Sequence, residues 1–134
     1  MSVKWILRIE SAAIGIVSVA GYLIIGGPPL LLIPALLAPD LSALGYLAGP
    51  RAGAVTYNLV HNWALPAALA LLAILGHVLW PMAVAAILAA HVGFDRALGY
   101  GLKLPTSFQD THLGRIGRDR SQVDSGAGPG SLSD

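Results

Sequence analysis

The sequence predicts an all-α protein: a four-helix transmembrane bundle with a short cytoplasmic strap and a disordered C-terminal tail. Composition supports this fold class, because 55% of the 134 residues are hydrophobic and only 11% are charged, whereas a soluble domain carries about 25% charged residues. The mean hydropathy is +0.70. Four apolar stretches, each near the ~20 residues that cross a bilayer core, are separated by turns rich in Gly and Pro.

Each span is bounded where an apolar stretch meets Gly, Pro or charge, which are the usual signals that end a helix. The predicted spans run from about residue 5 to 25, 30 to 48, 52 to 75 and 81 to 102. Prolines at positions 34, 39 and 66 lie inside spans and are expected to kink their helices, since proline removes a backbone donor. Residues 1–117 are assigned to the membrane domain. Residues 118–134 are rich in Gly, Ser and Asp and are assigned to a disordered cytoplasmic tail.

Basic residues orient the predicted bundle. All 8 Lys and Arg residues fall near the two chain ends or in the turn between the second and third spans. The turns at 26–29 and 76–80 contain none. By the positive-inside rule both termini are expected in the cytoplasm of a bacterial cell, with the protein in the inner membrane. The first span is expected to be retained, because no small-x-small cleavage pattern follows it.

Polar residues inside the spans share a depth. With this orientation and a rise of about 1.5 Å per helical residue, six polar residues fall in or near the cytoplasmic leaflet: Glu10, Asp40, Asn58, His61, His91 and Asp95. The last two are four residues apart and therefore lie on one helix face. A charged side chain in the bilayer centre costs roughly 2.5–3.5 kcal/mol on insertion scales, so such groups persist when paired, metal-bound or facing water.

The residue types favour a metal site. Helix bundles commonly build metal centres from inward His and carboxylate side chains on facing helices, and this donor set suits zinc, manganese or iron(II). A metal-dependent hydrolase-like site is therefore one hypothesis, acting on a lipid or another membrane-proximal substrate. Asp40 would be a further ligand or the general base, and Asn58 would orient a ligand. The expected metal ligands are His61, His91, Asp95 and, folding back from the strap formed by residues 106–113, His112.

Two alternatives stay open beside the metal site. The polar groups can form a network that serves helix packing or assembly in a non-enzymatic protein. They can also form a proton or ion path, which would require a homo-oligomer because four spans leave little room for a pore. Tyr57 lies at a depth where an interfacial aromatic belt is expected, and its i, i+4 spacing from His61 puts both side chains on one helix face. The net charge of +1 argues against a nucleic-acid partner and leaves the lipid bilayer as the expected surroundings.

Four motifs together resemble a known family. They are Pro39-Asp40-Leu41-Ser42, Tyr57-Asn58-x-x-His61, His91-x-Gly93-Phe94-Asp95-Arg96 and Phe108-x-x-Thr111-His112-Leu113-Gly114. The sequence between about residue 5 and residue 117 is similar to domain-of-unknown-function family 4260, which consists of small bacterial multi-helix membrane proteins. The resemblance implies an inner-membrane helical protein and brings no activity, substrate or cofactor. A looser similarity to bacterial membrane-bound metal-dependent hydrolases favours a metal site only by analogy.

Overall fold

A computed structural model of the chain describes residues 1–116. Its elements are α1 (Val3–Ile24), α2 (Pro29–Leu37), a 3-10 helix (Ala38–Ala48), α3 (Pro50–Val60), α4 (Ala64–Gly76), α5 (Leu79–Leu98), β1 (Asp110–Thr111) and β2 (Gly114–Arg115). The two strands form an antiparallel hairpin. The disordered tail predicted for residues 118–134 lies outside the described residues.

Four helical segments are long and apolar enough to cross a membrane, which confirms the predicted fold class. They are Val3–Ile24, Pro29–Ala48, Pro50–Gly76 and Trp80–Leu98. Large apolar side chains such as Leu30 and Leu47 point outward and are exposed, as expected for a surface that faces hydrocarbon. The fourth span ends earlier than residue 102, because Gly99 adopts a left-handed conformation with φ +96° and stops the helix.

The second span changes its helical type halfway, where a single kinked α-helix was expected. It begins as α2 and continues as a 3-10 helix from Ala38 to Ala48. Pro39 has no N–H to donate to the Leu36 carbonyl, which lies at the i, i+3 spacing of a 3-10 helix. The side chain of Ser42 donates a hydrogen bond of 2.7 Å to the Pro39 carbonyl. The tighter winding therefore leaves the Leu36 carbonyl available to a partner on another helix.

The third span is two helices rather than one, because the chain breaks at residues 61–63 between α3 and α4. Pro66 lies in the first turn of α4, where a missing N–H is tolerated. The side chain of Asn62 caps both the end of α3 and the start of α4. Its Nδ2 donates to the carbonyls of Asn58 and Leu59 at 2.8 Å each, and its Oδ1 accepts from the Leu65 N–H at 3.0 Å. These bonds satisfy backbone groups that a break inside a membrane would otherwise leave unpaired.

Helix α5 is the central element of the bundle and packs against α1, α4 and α2, while α3 packs against the 3-10 helix. The backbones of α1 and α5 approach each other closely. A Cβ built on Gly93 would lie 2.7 Å from the Ser11 carbonyl oxygen and 2.8 Å from the Gly15 nitrogen. Small residues at helix contacts allow such proximity in membrane proteins. The contact fixes the rotation of α5 and hence the direction of its polar face.

Candidate metal centre

Four ionisable side chains from three different spans meet at one point. Asp40 comes from the 3-10 helix, His61 ends α3 at the break, and His91 and Asp95 lie one turn apart on α5. One ligand atom from each residue lies within 4.8 Å of all the others. The convergence expected from their common depth is therefore present in the structure.

The distances between these atoms resemble the edges of a metal tetrahedron. The two Nε2 atoms of His61 and His91 are 2.9 Å apart. Asp40 Oδ1 lies 3.4 Å from the first and 3.3 Å from the second. Asp95 Oδ2 lies 3.8 Å and 3.4 Å from the same two atoms. Ligands at about 2.0–2.1 Å from a tetrahedral zinc ion are roughly 3.3 Å from one another.

Backbone carbonyls fix the orientation of both imidazoles. His61 Nδ1 lies 2.9 Å from the Tyr57 carbonyl oxygen, and His91 Nδ1 lies 2.5 Å from the Leu36 carbonyl oxygen that Pro39 leaves free. A carbonyl oxygen only accepts, so each Nδ1 carries the hydrogen. In the neutral rings both Nε2 atoms then present lone pairs to each other at 2.9 Å. This arrangement repels unless a cation or an added proton lies between the two nitrogens.

Burial differs across the cluster in a way that defines an open side. His61 is 3% exposed and His91 is 7% exposed, whereas the side chain of Asp40 is 55% exposed. Asp95 is intermediate at 22%. Three of the four groups are therefore held within the bundle, and the carboxylate of Asp40 closes the group from its accessible side.

Tyr57 contacts two members of the cluster. From its depth alone, its expected place was an interfacial aromatic belt. Its ring stacks on the His61 imidazole with the centroids 3.6 Å apart and the planes 6° from parallel. Its hydroxyl donates a hydrogen bond of 3.3 Å to Asp95 Oδ2. The i, i+4 spacing of Tyr57 and His61 was the available signal, since it puts both side chains on one helix face.

Within residues 1–116, the side chain of Asn58 has no hydrogen bond to the cluster and instead holds the chain that leaves α5. Its Oδ1 accepts from the Lys103 N–H at 2.6 Å, and its Nδ2 donates to the Lys103 carbonyl at 2.7 Å. The Lys103 side chain is buried, with Nζ 3.8 Å from the Phe108 ring centroid and 4.9 Å from that of Tyr57. Burial lowers the pKa of the Lys103 amine, while the charges of Asp95 and Asp40 oppose that shift. The strap is thereby fastened beside the cluster.

His112 lies in the hairpin and is not part of the four-residue group. Its Nδ1 accepts a hydrogen bond of 2.7 Å from the Leu102 N–H and lies 3.5 Å from Arg96 Nη1. Desolvation lowers the pKa of His112, and the Arg96 charge lowers it further. The structure therefore uses the lone pair that a metal would need to hold the hairpin against the end of α5.

Fold and site together define a class of protein: a bundle of four potential membrane spans that encloses a two-histidine, two-aspartate group. The family described as Domain of unknown function (DUF4260) matches residues 4–116, and the chain belongs to it. This result agrees with the resemblance found in the motifs. Comparison with curated proteins and with solved structures gives no further match.

Proposed function

We propose that the chain is a multi-pass membrane metalloprotein whose cluster of Asp40, His61, His91 and Asp95 binds a divalent transition metal, with zinc the best fit. One observation carries the proposal: two imidazole Nε2 atoms face each other at 2.9 Å while both Nδ1 atoms are committed to carbonyl oxygens. An ion between the rings converts this repulsion into coordination. Nδ1–H bonds to carbonyls are the usual means of orienting metal-bound histidines.

The reaction class that we propose is metal-dependent hydrolysis. A divalent metal with an open coordination position lowers the pKa of bound water to about 7. His61, His91 and Asp95 form the buried ligand set, and Asp40, on the accessible side, is the exchangeable ligand and general base. Its carboxylate takes one proton from water as the oxygen attacks an electrophilic carbon or phosphorus. The same carboxyl group then returns that proton to the leaving group.

The expected orientation in the membrane limits which substrates could reach the cluster. We propose the bacterial inner membrane with both termini in the cytoplasm, because the Lys and Arg residues collect at the chain ends and in one turn. The cluster then lies near the cytoplasmic leaflet, where a lipid headgroup or the membrane-proximal part of another substrate can reach it. Substrate and ligand exchange would occur past Asp40, whose side chain is exposed.

The proposal is tested by the metal content of detergent-purified protein. Wild type is expected to carry about one transition metal ion per chain after reloading and dialysis, and His91→Ala is expected to carry far less. His77→Asn is the matched control, because His77 lies in a turn outside the cluster with φ +50°, a conformation that Asn tolerates. Wild type without stoichiometric metal after reloading would end the proposal, as would equal metal loss in both variants.

The second candidate is a structural polar core. The same contacts suit a protonated histidine that shares its proton with its neighbour, because Asp40 and Asp95 lie within 3.3–3.4 Å of His91 Nε2. Here Asp95→Asn and His61→Gln lower the melting temperature in detergent to the same extent with and without zinc. A melting temperature of wild type that rises with zinc, and does not rise in these variants, favours the metal centre.

A further inference from the structure

A second site lies beside α1 and does not depend on the metal proposal. A cleft of about 630 Å³ opens between the first turns of α1, the end of α5 and the hairpin. None of the four cluster residues lines it. Its lining combines cationic and large apolar side chains, which is the pattern expected for a ligand with a charged head and a hydrocarbon tail.

The charged part of the lining has an excess of cations. Lys4, Arg8 and Arg96 face the cleft together with one carboxylate, Glu10. Within residues 1–116, none of the three cations is in an ion pair. Arg96 donates to the carbonyls of His61 and Tyr100, at 3.3 Å and 3.5 Å. Arg8 donates through Nε to the Ala97 carbonyl. Backbone carbonyls hold both guanidinium groups in position and add no negative charge of their own.

The apolar part of the lining continues from the charged end along α1. Leu7 and Ile14 are two turns apart on α1, and Trp63 and Leu113 also line the cleft. All four side chains are exposed, from 38% for Trp63 to 54% for Leu7. Because α1 and α5 are both span-length apolar helices, this end of the cleft lies where lipid chains would be. A soluble anion would leave these surfaces uncovered.

We propose that this cleft binds one anionic phospholipid, with its phosphate held by Lys4, Arg8 and Arg96 and an acyl chain lying against Leu7 and Ile14. Arginine groups prearranged by other hydrogen bonds bind phosphate with little further ordering. Glu10 disfavours a second negative charge at the same position, so the preferred head carries a single phosphodiester. Because Arg96 also donates to the His61 carbonyl, an occupied cleft lies directly beside the metal-binding cluster.

Trp63 provides a direct probe of occupancy. The chain has 3 tryptophans, so Trp5→Phe with Trp80→Phe leaves Trp63 as the only one. Brominated phosphatidylglycerol is titrated into this protein in neutral maltoside micelles, and brominated phosphatidylcholine is the zwitterionic comparison. Half-quenching is expected at a several-fold lower mole fraction of phosphatidylglycerol. Lys4→Gln and Arg8→Gln should each reduce this preference. Arg51→Gln, which removes a cation from the start of α3 outside the cleft, should leave it unchanged.

Three results would overturn the proposal. The first is equal quenching by the two lipids, and the second is an equal effect of Arg51→Gln and Arg8→Gln. The third is displacement of phosphatidylglycerol by millimolar sodium phosphate, which would assign the cationic groups to a soluble phosphate. Lys4 is exposed, and within residues 1–116 its side chain has no hydrogen bond or ion pair, so Lys4→Gln keeps the test valid even where Arg8→Gln impairs folding.

Discussion

Replacing Tyr57 by Phe removes one hydroxyl and leaves the aromatic stack on His61 in place. The hydroxyl donates to Asp95 Oδ2 at 3.3 Å, longer than the 2.5–2.7 Å that is typical of an O–H to carboxylate bond. Loss of a group that orients a metal ligand usually weakens metal binding by about 10–100-fold. Because the bond is long, we expect a loss at the lower end of this range of about 10–100-fold. Zinc binding at the proposed site should weaken about tenfold, which is about 1.4 kcal/mol of binding free energy.

The chain offers a matched control for this change. The hydroxyl of Tyr46 is buried and has no hydrogen-bond partner within residues 1–116, and its ring packs edge-on against Phe108 at 5.4 Å. Tyr46→Phe therefore makes the same chemical change without removing a hydrogen bond. The assay is competition for zinc against a chromophoric chelator in detergent. Equal zinc affinities of Tyr57→Phe and Tyr46→Phe, or tighter binding by Tyr57→Phe, would refute the role given to the Tyr57 hydroxyl.

Three further predictions concern the strap and the helix packing. Asn58→Ala removes two hydrogen bonds to the Lys103 backbone and should lower the free energy of unfolding by about 2 kcal/mol. The measurement is the melting temperature in detergent, and an unchanged melting temperature would contradict the stabilising role of these two hydrogen bonds. The pKa of His112 is lowered in the folded chain, so its contribution is present above about pH 6.5 and is lost as the pH falls through the folded pKa. The hydrogen-exchange protection factor of the Leu102 amide, which donates to His112 Nδ1, should decrease over that fall in pH, and a constant protection factor would argue against the contact. Gly93→Ala introduces a clash with α1 and should destabilise the bundle by about 1–3 kcal/mol. Gly21 has open space around it, so Gly21→Ala should be neutral or stabilising. Equal melting temperatures of the two variants would contradict the close contact between α1 and α5.

The positions of the spans and of four site residues could be predicted from the sequence because both follow from one-dimensional patterns. The length of each apolar stretch, and the Gly and Pro residues at its ends, define where a helix can cross the membrane. Residue counting within each span then gave a common depth for Asp40, His61, His91 and Asp95, and the structure brings these four together. The i, i+4 spacing of the last two ensured a shared helix face.

Features that depend on backbone detail were not predictable in this way. The 3-10 winding after Pro39 and the chain break capped by Asn62 depend on which local hydrogen bonds survive, and several helical alternatives have similar free energies. The prediction that His112 is a ligand required the path of the strap. That path is decided by long-range contacts, namely the two hydrogen bonds between Asn58 and the Lys103 backbone and the hydrogen bond that His112 accepts from Leu102. No pattern in the sequence reports those contacts.

The central claim is tested most directly by X-ray absorption spectroscopy at the zinc edge on zinc-loaded wild type in detergent. The account predicts a four-coordinate shell of nitrogen and oxygen at about 2.0–2.2 Å, with the outer-shell scattering of two imidazoles. Any zinc that His91→Ala still retains should show the scattering of one imidazole fewer. A zinc shell without imidazole scattering, or a protein that retains no zinc under these conditions, would contradict the metal centre.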